Sequence, residues 1–247
     1  MIVRLMAFKK TIIRDLRNNI ADGTLRPGER ITEAALCQRF SISRTSARDV
    51  LKQLEKEGVV KIIPNAGARV VDLSTEDVSN IYEMQIVLEG ASARFACEHI
   101  TDQEIKKLRE CQFMIEKAIA QKNLDLVFEL NTGFHMLLSE FSKNPYLVEI
   151  RKNFATLMSR FGRFATYIPR HLDASLQDHP KVIDALAKRN SAMAEFLARE
   201  HFEKAKEYMS DYVQNVLTKP DSHTGAAARH RSRARSNSGQ RRAKKPG

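Results

Sequence analysis

Apolar residues recur every three or four positions from Phe8 through Ile12, Ile13 and Leu16 to Ile20, the stripe of one amphipathic helix. Asp22-Gly23 closes it with a turn composition. A second short helix is predicted over Thr32 to Phe40, with Thr32 as N-cap, and a third over Arg44 to Glu57, with Ser43 as N-cap and Gly58 just past its end. Two β-rich runs follow, Val59 to Ile63 and Ala68 to Asp72, joined by the turn composition Pro64-Asn65-Ala66-Gly67. Three helices and a hairpin make a winged helix-turn-helix. From Ser74 the pattern changes to long helical stretches with few breakers, and from Lys219 large apolar residues are absent. A segment of that kind cannot bury enough surface to offset its ordering entropy. The expected fold is mainly α: a winged helix-turn-helix with a small β-hairpin wing over 1–73, an all-α bundle of six or seven helices over 74–218, and a disordered basic tail over 219–247.

Composition narrows the class. Of 247 residues, 43% are hydrophobic and 29% charged, the balance of a soluble globular chain. No run approaches the roughly 20 apolar residues of a spanning helix. The first residues interleave charges with apolar positions and lack a small-residue cleavage site, unlike a secretory signal. Cys37, Cys97 and Cys111 are too few and too scattered for a disulfide framework or a CxxC metal pair. The expectation is a cytoplasmic protein with no membrane partner.

Charge sharpens the division. Residues 1–73 hold 14 Lys/Arg against 8 Asp/Glu, a net of +6, whereas residues 74–218 hold 18 against 21, a net of −3. Residues 219–247 hold 9 against 1, a net of +8. A basic small domain beside an acidic larger one is the footprint of a nucleic-acid reader joined to something else.

The third helix shows how such a reader works. Ala47, Val50, Leu51 and Leu54 share one face and pack inward, while Arg44, Thr45 and Arg48 lie at the N-terminal end of another face, open to solvent. A recognition helix contacts base edges through its N-terminal residues. Arginine's planar fork matches the O6 and N7 acceptors of guanine, and the Ser43 and Thr45 hydroxyls with the free N–H groups of the helix start suit phosphate. On these residues alone, a solvated Arg-rich helix end is an equal alternative.

Over residues 20–72 the landmarks Gly23-x-Leu25-x-Pro27-Gly28-Glu29-Arg30, Ser43-Arg44-Thr45, Arg48, Leu51, Leu54-Glu55-x-Glu57-Gly58 and Gly67-x-x-Val70 resemble the DNA-binding domain of the GntR superfamily of bacterial transcription regulators. The resemblance implies operator contacts from Arg44, Thr45, Ser46 and Arg48 beside the Ser43 cap, and a wing tip near Gly67 approaching the minor groove. Ala34 stands where many members carry a DNA-reaching Arg, and Ser46-Ala47 replaces a commoner proline-containing pair. The match continues through Ser74-Thr75-Glu76-Asp77, Ile81-Tyr82-Glu83-Met84-Gln85-x-x-Leu88-Glu89, the capping box Thr101-Asp102-Gln103-Glu104, Leu130-Asn131-x-x-Phe134-His135, Lys143-Asn144-Pro145-Tyr146-Leu147, His179 and His201. This order is similar to the FadR-like branch, whose C-terminal bundle binds an effector and dimerises.

Asn131 and His135 are spaced i, i+4 and share a helix face. The resemblance implies that Asn131, His135, His179 and His201 hold one divalent metal ion per subunit, of zinc or nickel type, which helps bind a carboxylate effector. Asn131 replaces the family's Asp, leaving a neutral His₃-Asn set, and a metal-free cavity is the alternative. His99, His171, His223 and His230 receive no role. Gln85 replaces an Arg common in relatives, removing a cation from the expected effector site. The Phe and Met residues between 113 and 164 read mostly as core. The effector-binding residues are not identified by the sequence. The implied activity is that of an effector-controlled transcription regulator, a repressor, acting as a homodimer on double-stranded operator DNA. Three His around a metal also suit hydrolysis, but without a nucleophile–base pair or a phosphate loop the expectation is no enzyme. The tail reads either as a solvated solubility segment or as an electrostatic arm on flanking phosphates.

Overall fold

The computed structural model describes residues 2–64, 66–72 and 74–217, and side chains within these except 2–7, 156, 160, 216 and 217. The predicted tail, with His223 and His230, lies outside the described residues.

Helix α1 (Ile2–Ala21) buries Ile12, Ile13, Leu16 and Ile20 as the stripe requires. Phe8 departs from the expectation: it is 45% exposed, because the stripe engages the core only from the next turn onward. Strand β1 (Arg30–Ile31) leads to α2 (Glu33–Phe40), whose first turn is closed by Thr32 accepting from the Ala35 N–H. Ser43 caps α3 (Arg44–Lys56) by accepting from the Ser46 N–H at 3.2 Å. Gly58, at φ +74°, takes the left-handed conformation that ends this helix. Ala47, Val50, Leu51 and Leu54 are all buried, so the inward face of α3 is as expected.

The wing is β2 (Val60–Ile63) and β3 (Gly67–Val70), antiparallel with Val60 opposite Val70. Pattern reading missed β1, which pairs with β3 to give the order β1-β3-β2. Two residues are too short to show a period of two. The third strand explains Gly67, which sits at φ +88° where a Cβ would lie 2.4 Å from the Ile31 carbonyl oxygen.

Six α-helices follow among the described residues: α4 (Thr75–His99), α5 (Asp102–Ala120), α6 (Leu124–Phe141), α7 (Pro145–Ala165), α8 (Pro169–Ala187) and α9 (Ser191–Tyr212), with a π-helical turn at Val213–Leu217. Ser74 caps α4, and Thr101 with Glu104 forms the complete capping box of α5. α4 lies against α9, which packs on α8, while α5 packs on α6 and α8. Phe134, Phe141, Phe161 and Phe164 are core. Phe113 and Met114 are not, at 63% and 41% exposed, because both lie on the outward side of α5 between the buried Leu108, Gln112 and Ile115.

The winged helix and the bundle are tied by a polar joint. Arg17 of α1 grips the buried Glu57 carboxylate in bidentate fashion at 2.7 and 2.6 Å, and also pairs with Asp125 at the start of α6. Arg163 of α7 reaches the same Asp125 oxygen at 3.0 Å, with its guanidinium 4.2 Å from the centre of the Phe128 ring. The Tyr212 hydroxyl donates to the Ala21 carbonyl.

Candidate functional site

The reading end is built by the Ser43 cap. Its Oγ takes up the Ser46 N–H and lies 3.0 Å from the Ser46 Oγ, leaving Arg44 and Thr45 exposed at the start of α3. Arg48 is exposed but does not stand open as expected. Its Nε donates to Glu33 Oε1 at 2.8 Å, because Glu33 opens α2 directly across from it. That hydrogen bond holds the Glu33 carboxyl below its ordinary pKa. Behind the wing, Arg30 Nε donates to the Ala66 carbonyl at 2.6 Å and Arg69 Nη1 to the Gly28 carbonyl at 2.8 Å, so these two arginines fasten turns.

Inside the bundle a second constellation forms. α6 supplies Asn131 and His135, α8 supplies His179 and α9 supplies His201, and one ring nitrogen of each imidazole lies within 4.8 Å of the others. All three rings are buried. Phe134 stacks on His179 at 4.1 Å between centroids, fixing that ring's plane.

Hydrogen bonding sets the tautomers. His135 Nδ1 lies 2.5 Å from Glu89 Oε1, so it donates and leaves a lone pair on Nε2. His179 Nδ1 lies 2.9 Å from Gln112 Oε1, and Gln112 donates its own amide to Glu116 at 3.2 Å, which fixes the oxygen toward the histidine. His179 therefore also carries its lone pair on Nε2. His201 Nδ1 faces Asp178 Oδ2 at 3.7 Å, in the same sense but beyond hydrogen-bond reach. The Nε2 atoms of His135, His179 and His201 are buried with no protein partner, as is Asn131 Oδ1. Buried polar atoms of this kind call for a partner, at roughly 1–3 kcal/mol each. Outward-facing acceptors that back ligand imidazoles are the usual support of a metal site.

Electrostatics agree with that chemistry. Burial lowers the pKa of His171 to about 3 and pushes His179 and His201 below the ordinary imidazole range, so these rings are neutral. Burial alone would raise Glu89, but His135 and Arg151 outweigh it and the carboxylate stays ionised, with Arg151 Nη2 at 2.8 Å from its Oε2. Burial would likewise raise Asp178, but the nearby His201 ring and the hydrogen bonds from Lys181 and Lys204 hold it well below its usual value.

A cavity of about 90 Å³ adjoins the cluster, lined among others by Gln85, Asn131, His135, Arg151 and His171. One water needs roughly 10–15 Å³, so a small acid fits beside an ion. The structure thus brings Asn131 and His135 to one wall and joins His179 and His201 through the rings. His171, given no role from sequence, is buried on this wall with its ring 6.4 Å from that of His201 and its Nδ1 without a partner. Glu89, Gln112, Arg151 and Asp178 were also missed as site residues. Glu89 stood inside a recognised motif, while the other three converge only through tertiary packing.

An exposed, arginine-bearing helix in a winged helix-turn-helix, fastened to a helical bundle with a buried, donor-rich cavity, is the architecture of a DNA-binding regulator. Residues 8–70 match the family described as bacterial regulatory proteins, gntR family, and residues 80–204 match the FCD domain. The chain belongs to this GntR family, in the branch that carries an FCD domain. It is 31% identical over 199 residues to the Nta operon transcriptional regulator of Aminobacter aminovorans, covering 78% of this chain and 92% of that one. It is 27% identical to the transcriptional repressor RspR of Escherichia coli K12, covering 79% and 86%. Among solved structures, McbR/YncC of E. coli superposes with a TM-score of 0.54 at 17% identity over 82% of this chain and 96% of that one. The Listeria monocytogenes protein Lar gives 0.56 at 21% identity over 81% and 95%. At these identities the two structures share the fold. The relatives are transcription regulators rather than enzymes, and so is this chain. Among the described residues no helix is long and apolar enough to cross a membrane.

Proposed function

We propose that this regulator is a cytoplasmic repressor whose operator binding is switched by a small organic acid held in the bundle beside a divalent ion. The carrying observation is the set of three buried Nε2 atoms without protein partners, each on a ring whose Nδ1 faces an oxygen acceptor. His135, His179 and His201 would hold the ion, with Asn131 Oδ1 as a weaker neutral donor. When bound, the ion supplies positive charge and open positions for carboxylate oxygen. Zinc or nickel suits a neutral imidazole set. The division at residues 73/74 between reading and sensing parts belongs to the same proposal. So does a homodimer on a palindromic site, supported by the exposed Met84, Val87, Tyr146, Ile150 and Leu157 of the neighbouring helices α4 and α7.

On the DNA, Arg44, Thr45, Ser46 and Arg48 would meet base edges and phosphates beside the Ser43 cap, and the wing near Gly67 would approach the minor groove. Arg48 would exchange Glu33 for that contact. Elemental analysis of protein purified without a His tag tests the metal reading. The wild type should hold about one zinc or nickel ion per chain and the His135→Ala/His179→Ala variant none. Equal, trace amounts in both would leave a metal-free sensor.

A further inference from the structure

The cavity wall has one feature that the metal reading does not use. Among its described lining residues Arg151 is the only one carrying a full charge, and no carboxylate lines the cavity. Arg151 is 4% exposed on α7. Its Nε donates to Ser139 Oγ at 3.2 Å, Nη1 to Gln85 Oε1 at 2.6 Å, and Nη2 lies 2.8 Å from Glu89 Oε2. The first two contacts use one N–H each, on Nε and Nη1, of a fork that carries five, and the third is an ion pair. Glu89 stands behind the guanidinium, not on the wall, and its other oxygen is engaged by His135. Seen from the cavity, the local field is that of a held cation. A buried ion pair is poor evidence of stabilisation, since apolar residues of similar volume often serve as well. A guanidinium pinned in orientation at a cavity wall is, however, a preorganised fork for a carboxylate.

We propose that Arg151 is the anion anchor of the effector site, and that the effector is a short dicarboxylate with one carboxylate on Arg151 and the other toward the histidine cluster. The proposal rests on the sensor reading above. His135 and Arg151 share Glu89 as a common partner, so the two anchors are only a few ångströms apart. The cavity of about 90 Å³ agrees with an acid of few carbons. The charges agree as well. Three neutral imidazoles and Asn131 leave a divalent ion uncompensated, and Arg151 cancels only Glu89, so a dianion neutralises the loaded site. Gln85 fits the same picture: its side-chain oxygen holds the guanidinium of Arg151 rather than a cation standing at position 85.

Malonate, succinate and propionate, titrated by calorimetry into zinc-loaded and chelator-treated protein, test this. The wild type should bind a dicarboxylate more tightly than propionate. Arg151→Gln/Glu89→Gln removes both charges together and avoids a stranded carboxylate. Because Glu89 also backs His135, zinc affinity should fall in this variant. It is therefore titrated at saturating zinc, where it should bind the dicarboxylate roughly 10- to 100-fold more weakly. Gln85→Arg/Arg151→Gln should recover much of that loss by returning a cation from the neighbouring position. If Arg151 merely orients Glu89 and His135, Gln85→Arg/Arg151→Gln, which keeps Glu89, loses zinc affinity together with acid affinity and the relocated arginine rescues neither, which overturns the proposal. Dicarboxylate affinity unchanged in Arg151→Gln/Glu89→Gln overturns it too, as does failure of the wild type to bind any of these acids. A wild type that binds no zinc refutes the metal reading, while the chelator-treated titrations still decide the role of Arg151.

Discussion

The two ends of this molecule handle polar groups in opposite ways. At the N-terminus of α3, Arg44, Thr45 and Arg48 stay exposed, and the one ion pair among them, with Glu33, lies in solvent and is easily exchanged. In the bundle, His135, His179, His201, Glu89 and Arg151 are all buried, and the His135 and His179 rings are each held by a neighbour. Exposure suits a surface that must trade water and counterions for phosphate. Burial suits a site in which a few donors must meet one small ligand in a single geometry. The recognition end therefore tolerates looseness, while the cavity depends on its supporting shell.

The joint between them offers the largest break. A run of contacts from Glu57 at the end of α3 through Arg17, Asp125 and Arg163 reaches Phe128 on the cavity wall. Arg17→Met strands the Glu57 carboxylate in a buried place and should cost about 3–5 kcal/mol in urea unfolding. Arg17→Met/Glu57→Leu should return most of it. An unchanged urea midpoint in the single variant would mean that Arg17 does not tie the winged helix, through Glu57, to Asp125 of the bundle.

Metal comes next in size and sharpens the contrast, because only the buried end should respond. Zinc at about one hundred times its dissociation constant should stabilise the wild type by about 2.7 kcal/mol. The His135→Ala/His179→Ala variant should show no such rise in melting temperature. Arg44→Ala, by contrast, should respond to zinc like the wild type and lose only DNA. Arg44→Ala and Arg48→Ala should each weaken operator binding roughly 5- to 150-fold, the range of a good bidentate base contact. Quantitative footprinting reads this, and normal protection by both variants would remove α3 from the recognition role.

What the sequence made legible follows from range. Caps, turns and stripes are local, so Thr32, Ser43, Ser74 and Thr101 could be assigned from neighbours within four residues, and each closes its helix in the structure. The three histidines were legible only through spacing shared with a family. Their supports were not: Gln112 meets His179 across 67 positions and Arg151 meets Gln85 across 66, and no periodicity encodes such pairings. The partner of Arg48 was hidden for the same reason, since Glu33 lies on another helix 15 residues away.

The smallest effect tests whether the exposed end also needs preorganisation. Ser43 accepts the Ser46 N–H and meets the Ser46 hydroxyl, so it shapes the backbone from which Arg44 and Thr45 project. Ser43→Ala should cost about 1 kcal/mol of stability, the usual value of an N-cap, and Ser43→Gly only a few tenths. If the cap serves folding alone, operator affinity measured well below the melting temperature should be the same in both. If it also orients the arginines, affinity should fall in Ser43→Ala and Ser43→Asp should restore the fold without restoring affinity, because its carboxylate would caps the helix yet repel the approaching phosphate. Equal affinity in all three variants would place every demand for fixed geometry in the buried cavity and leave the recognition end to shape itself on DNA.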